Sequence, residues 1–206
     1  MPLKRFSLAN QTFADIIDKN YFYVDKTRYI YDLCNSEENS FFLSRPRRFG
    51  KTLFLYTLNE LFSGNRERFR GLWIDQSDYD FPRLPVLFLS LSMRTPTPEI
   101  LEDNLLTSLK LIAQTANLDN KVIGNTSDMY FESLILALYQ ESQTKIAVLI
   151  DEYDAPVTRN MDNLEIATAN AKILHDFFAT LKKPNVTDKI RFTFVTGITR
   201  YALTSM

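Results

Sequence analysis

The sequence contains a single cysteine and a single histidine, and this scarcity excludes several kinds of site. Cys34 cannot form an intrachain disulfide or contribute to a cysteine metal cluster, and we expect it to be a buried structural thiol. His175 has no second histidine or cysteine with which to share a metal ion. We expect it to have a structural role within a helix, and catalysis based on histidine is excluded.

The sequence also lacks an excess of charge of one sign and any long apolar run. A net charge of −1 over 206 residues gives no overall basic field that would attract nucleic acid or an anionic membrane. No segment has the apolar length of a membrane span or of a signal peptide core. We therefore expect a cytoplasmic protein with no membrane partner, and contact with nucleic acid only indirectly or through a local patch.

The overall composition is that of an ordinary globular protein. Apolar residues make up 45% and charged residues 24% of the chain, close to the averages for soluble proteins. No repeat, low-complexity tract or long linker divides the sequence. We predict one domain over residues 1–206, in which about 1–38 form an aromatic and helical lead-in.

Apolar strand segments alternate with segments of helical periodicity along the chain, which is typical of an α/β fold. We predict a three-layer arrangement, in which a parallel sheet is covered by helices on both faces. The carboxyl ends of its strands meet at one edge, where such folds bind ligands. The predicted strands are 40–44, 84–92, 145–154 and 190–197, and the predicted helices are 51–64, 97–116, 127–143 and 163–182.

The first strand is followed by "SRPRRFGKTLF", which ends as a phosphate-binding loop does. In such a loop the backbone amides before and at the start of the following helix bind phosphate. Lys51 would reach the terminal phosphates and the Thr52 hydroxyl would bind Mg²⁺. The predicted nucleotide-binding residues are Arg48, Phe49, Gly50, Lys51, Thr52 and Leu53.

The loop departs from the usual pattern at its beginning, where Arg45 stands in place of the first glycine. Pro46 biases Arg45 toward an extended backbone, so we interpret the change as a different entry into the loop. The alternative is a basic surface loop. Arg47 and Arg48 would then contact a partner or lie in solvent, and the same residues would assist the phosphates in the first interpretation.

A buried strand about one hundred residues later, "AVLIDEYD", ends abruptly in acids. This is the pattern of a Walker B strand, in which Asp151 would hold the Mg²⁺ shell. Glu152 would orient or deprotonate the attacking water. A solvated turn is the alternative for this acid pair. Asp154 has two interpretations, as a cap of the turn that follows or as a member of the acid cluster.

The last predicted strand ends in "TGITR", which offers two further candidates. Thr196 would contact the attacking water or the γ-phosphate, and Arg200 would stabilise the charge of the transferring phosphoryl group. A polar turn with a solvent-facing arginine is the alternative. Before the first strand, Tyr21, Tyr23 and Val24 are candidates to stack on a base, with a core or docking role as the alternative.

The segments "YFYVDKT", "SRPRRFGKTLF", "VLIDEYDAPV" and "FTFVTGITR", in this order, resemble the AAA-ATPase-like family. The resemblance covers nearly the whole chain, and arginine in place of the first glycine belongs to the family pattern. It implies a P-loop NTPase core of the additional-strand class, with ATP and Mg²⁺ as cofactors. It also implies phosphate and Mg²⁺ contacts for Lys51 and Thr52, and a Walker B pair of Asp151 and Glu152.

Family members usually continue into further ATPase structure, and often into a nuclease-like domain of the PD-(D/E)XK type. The sequence has 206 residues, so we expect an ATPase core that is incomplete at its C-terminus and a nuclease-like effector as a partner. The leading hypothesis is an ATP-binding and ATP-hydrolysing switch coupled to that effector. The alternatives are a nucleotide-binding regulatory module without turnover, and a nucleic-acid module that uses Arg45, Arg47, Arg48 and Lys51.

Overall fold

The computed structural model describes residues 5–6 and 11–199, and a four-stranded parallel sheet lies at its centre. The spatial order is β1-β4-β3-β2, so β4 lies between the strand that leads into the loop and the strand that ends in acids. This parallel sheet with helices is consistent with a P-loop NTPase-like fold. The α/β prediction is confirmed, with strands β1 (Ser40–Ser44), β2 (Val86–Ser90), β3 (Ile146–Asp151) and β4 (Ile190–Gly197).

The helices predicted from periodicity are present with nearly the predicted bounds. Three short helices were not predicted, because four to six residues are too few for a 3.6-residue pattern to repeat. Among the described helices, none is long and apolar enough to cross a membrane. The helices are α1 (Phe13–Asp18), α2 (Thr27–Cys34), α3 (Lys51–Phe62), α4 (Pro98–Thr115), α5 (Ser127–Ser142), α6 (Ala155–Thr158), α7 (Leu164–Ala179) and α8 (Pro184–Thr187).

Alternate residues of each strand pack into two separate apolar cores, one on each face of the sheet. In β3, Val148 and Ile150 face the core shared with α4, α5 and α7. Ala147 and Leu149 face the core shared with α1, α2 and α3. All six residues of β3 are buried, which explains why this strand is a continuous apolar run rather than an alternating one.

The lead-in before β1 packs under α3, and Tyr23 belongs to the core there. The ring of Tyr23 lies 5.1 Å from that of Phe13, and its hydroxyl is 3.3 Å from the Thr57 hydroxyl of α3. Tyr23 is thus a partly buried residue that packs against the core, in agreement with the core interpretation.

Cys34, at the end of α2, is buried as expected. Burial raises the pKa of its thiol to about 11, against the smaller opposing effects of a hydrogen bond with Tyr79 and the charge of Arg191. The unfolded thiol ionises near pH 9, so only the unfolded state gains thiolate between about pH 9 and 11. This contribution to stability is complete below pH 9 and is lost as the pH rises through that window.

We predict that Cys34 reacts with iodoacetamide at pH 8 about 100-fold more slowly in the folded protein than in the urea-unfolded chain, because the thiolate is the nucleophile. The chain has one cysteine, so the intact mass reports this site alone. Equal labelling rates in the two states would contradict the burial of Cys34.

Candidate functional site

The loop leaves β1 in an extended form at the position where a glycine is usually found. The amide of Arg45 continues the sheet and donates to the carbonyl of Gly197 in β4, at 3.3 Å. Arg45 is not among the described residues with a positive φ, so its conformation is open to any residue. The pairing of Arg45 with β4 agrees with the extended entry predicted from Pro46, which needs no glycine at this position.

Left-handed backbone occurs later in the loop, just before α3. Arg48 has a φ of +68° and Gly50 a φ of +77°. Left-handed residues within a turn are typical of anion-binding nests of backbone amides. The first α-helical bond of α3 runs from Phe54 to Gly50, and no described side chain caps the helix start. The amides of residues 51–53 therefore remain as donors at the positive end of α3.

Lys51, the first residue of α3, is held within the loop. Its side chain is largely buried, with 8% of the residue exposed. The ammonium donates to the carbonyl oxygens of Arg45 at 2.8 Å and Pro46 at 3.0 Å. An ammonium has three donors, so one remains beyond these two carbonyls.

The carboxyl group of Asp151 joins the phosphate loop to the two central strands. It accepts hydrogen bonds from the Thr52 hydroxyl of α3 at 2.7 Å, from the Thr196 hydroxyl of β4, and from the amide of Glu152 at 3.0 Å. Asp151 is 3% exposed and Thr196 is fully buried. Three predicted site residues from distant parts of the chain are thus in direct contact.

Glu152 lies beside this cluster but its side chain contacts a different group. The residue has a φ of +49°, a conformation that costs a non-glycine residue about 1–2 kcal/mol. Its carboxylate pairs with the guanidinium of Arg159 at 2.9 Å, and both side chains are more than a third exposed. Arg159 in turn donates to the carbonyl of Ser92.

The last two residues of "DEYD" anchor the segment that follows β4. Asp154 is buried and accepts hydrogen bonds from the amides of Ile198 at 3.0 Å and Thr199 at 2.7 Å, and also from the Thr199 hydroxyl. The Tyr153 hydroxyl donates to the carbonyl of Thr199 at 2.8 Å. Asp154 stands at the N-cap position of α6, but its side chain makes no capping hydrogen bond there. The carboxyl binds backbone amides 44 and 45 residues away instead, and no signal in the sequence identified these partners.

Gly197 is required by close packing rather than by backbone conformation. A Cβ at this position would lie 2.4 Å from the ring of Tyr153 and 2.8 Å from the carboxyl of Asp154. The strand end is therefore packed directly against the two anchoring residues. Arg200, the remaining predicted site residue, lies outside the described residues.

The other predicted residues of the loop differ in exposure. Arg48 is exposed, and Phe49 exposes 62% of its surface. Leu53 packs partly against the core beside α3, which fixes the first turn of that helix against the sheet.

The donor set fits a magnesium ion. The Thr52 hydroxyl and Asp151 carboxylate are hard oxygen ligands of the kind that Mg²⁺ prefers. Within residues 5–6 and 11–199, no cluster of three or more histidine, cysteine or acidic residues is suited to hold a metal ion. Mg²⁺ is commonly bound by one or two carboxylates together with substrate phosphates rather than by a cage of protein ligands.

Comparison with known proteins identifies the family. The family model described as "Predicted AAA-ATPase" matches residues 7–206. The chain belongs to this family. From membership in the predicted AAA-ATPase family we expect the loop to bind a nucleotide, in agreement with the resemblance found from the motifs.

One relative in the predicted AAA-ATPase family is described as "Uncharacterized protein in vnfD 5'region" of Azotobacter chroococcum mcd 1. The two are 33% identical over 213 residues, which cover 100% of this chain and 39% of the relative. The chain therefore spans well under half of that relative's length. No solved structure matches the chain.

We predict that Thr196→Val lowers the free energy of unfolding by about 1.5–3 kcal/mol, because it removes a donor from the buried carboxylate of Asp151. Urea denaturation measures the loss. Thr193→Val is a matched control on the same strand, because Thr193 is a buried residue whose hydroxyl makes no hydrogen bond to any described residue. Equal free energies of unfolding for the two variants would show that the hydrogen bond between Thr196 and Asp151 does not stabilise the fold.

Proposed function

We propose that this chain binds ATP with Mg²⁺ and hydrolyses it. The family supports ATP as the nucleotide. The observation that carries the proposal is the hydrogen bond of 2.7 Å between Thr52 and Asp151. It joins a phosphate-type loop to an acidic strand end, the two halves that nucleotide hydrolysis requires.

Phosphate binding is assigned to the loop between β1 and α3. The amides of Arg48, Phe49, Gly50, Lys51, Thr52 and Leu53 are the proposed donors, supported by the left-handed turn and the uncapped helix start. Lys51 supplies positive charge from inside the loop. Because its ammonium is already held by two carbonyls, little side-chain entropy is lost when it binds phosphate.

The proposed Mg²⁺ ligands are Thr52 and Asp151. A bound Mg²⁺ would neutralise the charge that develops on the phosphates during transfer. The contribution of the chain is to hold the two oxygens together, and Thr196 orients the Asp151 carboxylate through its own hydrogen bond.

Hydrolysis is assigned to Glu152 as the group that orients or deprotonates the attacking water. Its ion pair with Arg159 is exposed on both sides, and such pairs contribute only about 0–1 kcal/mol. Release of Glu152 from Arg159 is therefore inexpensive. Arg200 completes the proposal as a stabiliser of the transferring phosphoryl group.

A role as a switch for an effector is also part of the proposal. Asp154 and Tyr153 tie the end of β3 to residues 198–199. We propose that these contacts transmit a change at the acidic strand end to the segment after β4. We propose that a nuclease-like effector is the group that responds.

We predict that Lys51→Ala weakens ATP binding about 10- to 150-fold, since charge-assisted hydrogen bonds contribute about 1.5–3 kcal/mol each. Titration of a fluorescent ATP analogue with excess Mg²⁺ measures the affinity. Lys172→Ala is the matched control, because Lys172 is exposed on α7. If Lys51→Ala and Lys172→Ala bind ATP equally, the phosphate loop is not the binding site.

We predict that Glu152→Gln keeps ATP binding and loses phosphate release, because an amide cannot accept the proton of the attacking water. Release of inorganic phosphate and analogue binding are measured on the same samples. The control is Glu165→Gln, an exposed residue in the first turn of α7.

The same measurement tests the second candidate, a regulatory nucleotide-binding module without turnover. The pairing of Glu152 with Arg159 favours this alternative, because the carboxylate contacts a guanidinium and not a group of the phosphate loop. No phosphate release from wild type, with ATP binding intact, would establish that alternative. Unchanged phosphate release by Glu152→Gln would show that Glu152 takes no part in hydrolysis.

A further inference from the structure

The segment "YVDKT", residues 23–27, has no role in the site described above, although it borders the phosphate loop. Its side chains alternate between anchoring and exposure. Tyr23 and Thr27 are held in the interior, whereas Val24 and Lys26 are exposed. The position of the Lys26 ammonium beside the phosphate loop is the feature that the proposed site does not explain.

The neighbours of Lys26 fix its backbone. Asp25 accepts hydrogen bonds from the Thr27 amide at 2.8 Å, the Thr27 hydroxyl at 2.7 Å and the Trp73 amide at 2.7 Å. The fully buried Thr27 hydroxyl also accepts from the Ile74 amide at 3.1 Å. Lys26 therefore projects from a turn that is anchored on both sides.

The ammonium of Lys26 lies over the end of the phosphate loop. A Cβ built on Gly50 would be 3.6 Å from Nζ of Lys26, which is ordinary van der Waals contact. Gly50 is the left-handed residue that precedes α3. A cation from the lead-in thus borders the same backbone amides that form the proposed phosphate cradle.

Without an anion this placement is electrostatically unfavourable. Cations are destabilising near the positive end of a helix, and the ammonium of Lys51 lies in the same loop. The first turn of α3 contains no acidic residue, and the nearby carboxylate of Asp151 is engaged by its own three donors. In the part of the chain that the structure describes, the Lys26 side chain makes no hydrogen bond or ion pair.

We propose that Lys26 is a second phosphate-binding cation, which contacts the phosphates of a nucleoside di- or triphosphate beside Gly50. The proposal rests on the proposed function of the loop. Lys51 binds from within the loop, whereas Lys26 closes over it from the segment before β1. The anchoring by Asp25 and Thr27 holds the ammonium close to its binding position before the nucleotide arrives.

The test compares Lys26→Met with Lys110→Met, which removes the same charge from an exposed position on α4. ATP and inorganic tripolyphosphate are each used to displace a fluorescent ATP analogue. We expect Lys26→Met to weaken both competitors about 10-fold, because a charge-assisted contact to phosphate is lost. Lys110→Met should bind both as wild type does. Without nucleotide, Lys26→Met should melt at the temperature of wild type or slightly above it, because it removes a cation from the positive end of α3.

Three results would overturn the proposal. The first is equal affinity of Lys26→Met and Lys110→Met. The second is a loss for ATP without a loss for tripolyphosphate, which would assign Lys26 to the base or ribose. The third is a lower melting temperature of Lys26→Met without nucleotide, which would make its role structural.

Failure of this inference is distinguishable from failure of the proposed function. If Lys51→Ala binds ATP as wild type does, the assignment of phosphate binding to the loop is wrong. If Lys51→Ala loses affinity while Lys26→Met keeps it, phosphate binding by the loop is supported and only the proposed role of Lys26 is wrong.

Discussion

The buried carboxyl group of Asp151 is the interaction on which the rest of the site depends. A carboxylate removed from water is costly unless it is hydrogen-bonded, and here donors come from α3, β4 and the following amide. Satisfying this one group therefore fixes the start of the helix after the phosphate loop and the end of β4 against the end of β3. The loop, the acidic strand and the neighbouring strand form one unit because they share this acceptor.

The chain reaches this arrangement with a loop that lacks the first glycine of the usual pattern. A glycine is needed only where the backbone must turn sharply or adopt a positive φ. Arg45 instead extends the pairing of β1 with β4 through the carbonyl of Gly197, and the left-handed conformations are found at Arg48 and Gly50. The strands could be predicted because continuous apolar runs mark strands that are buried on both faces. The four long helices could be predicted from their periodicity.

Other parts of the fold and site could not be predicted, for reasons specific to each. Helices α1, α6 and α8 are too short to show a period. The three acids of "DEYD" are chemically alike, so the sequence does not distinguish their roles. In the structure, Asp151 binds hydroxyls of the site, Glu152 pairs with Arg159, and Asp154 binds the amides after β4. Backbone direction separates them: Glu152 adopts a left-handed conformation, so consecutive side chains leave the strand end in different directions.

The sequence by itself determined the strand order along the chain, the phosphate-type loop, the acidic strand end and their position at one sheet edge. These follow from local patterns, and from the rule that parallel strands present their carboxyl ends together. Only the tertiary structure decided which side chains meet there. It brought Thr52 to Asp151, Asp154 to Thr199 and Lys26 to Gly50. Contacts between residues distant in sequence depend on how helices and strands pack, and no local pattern encodes that packing.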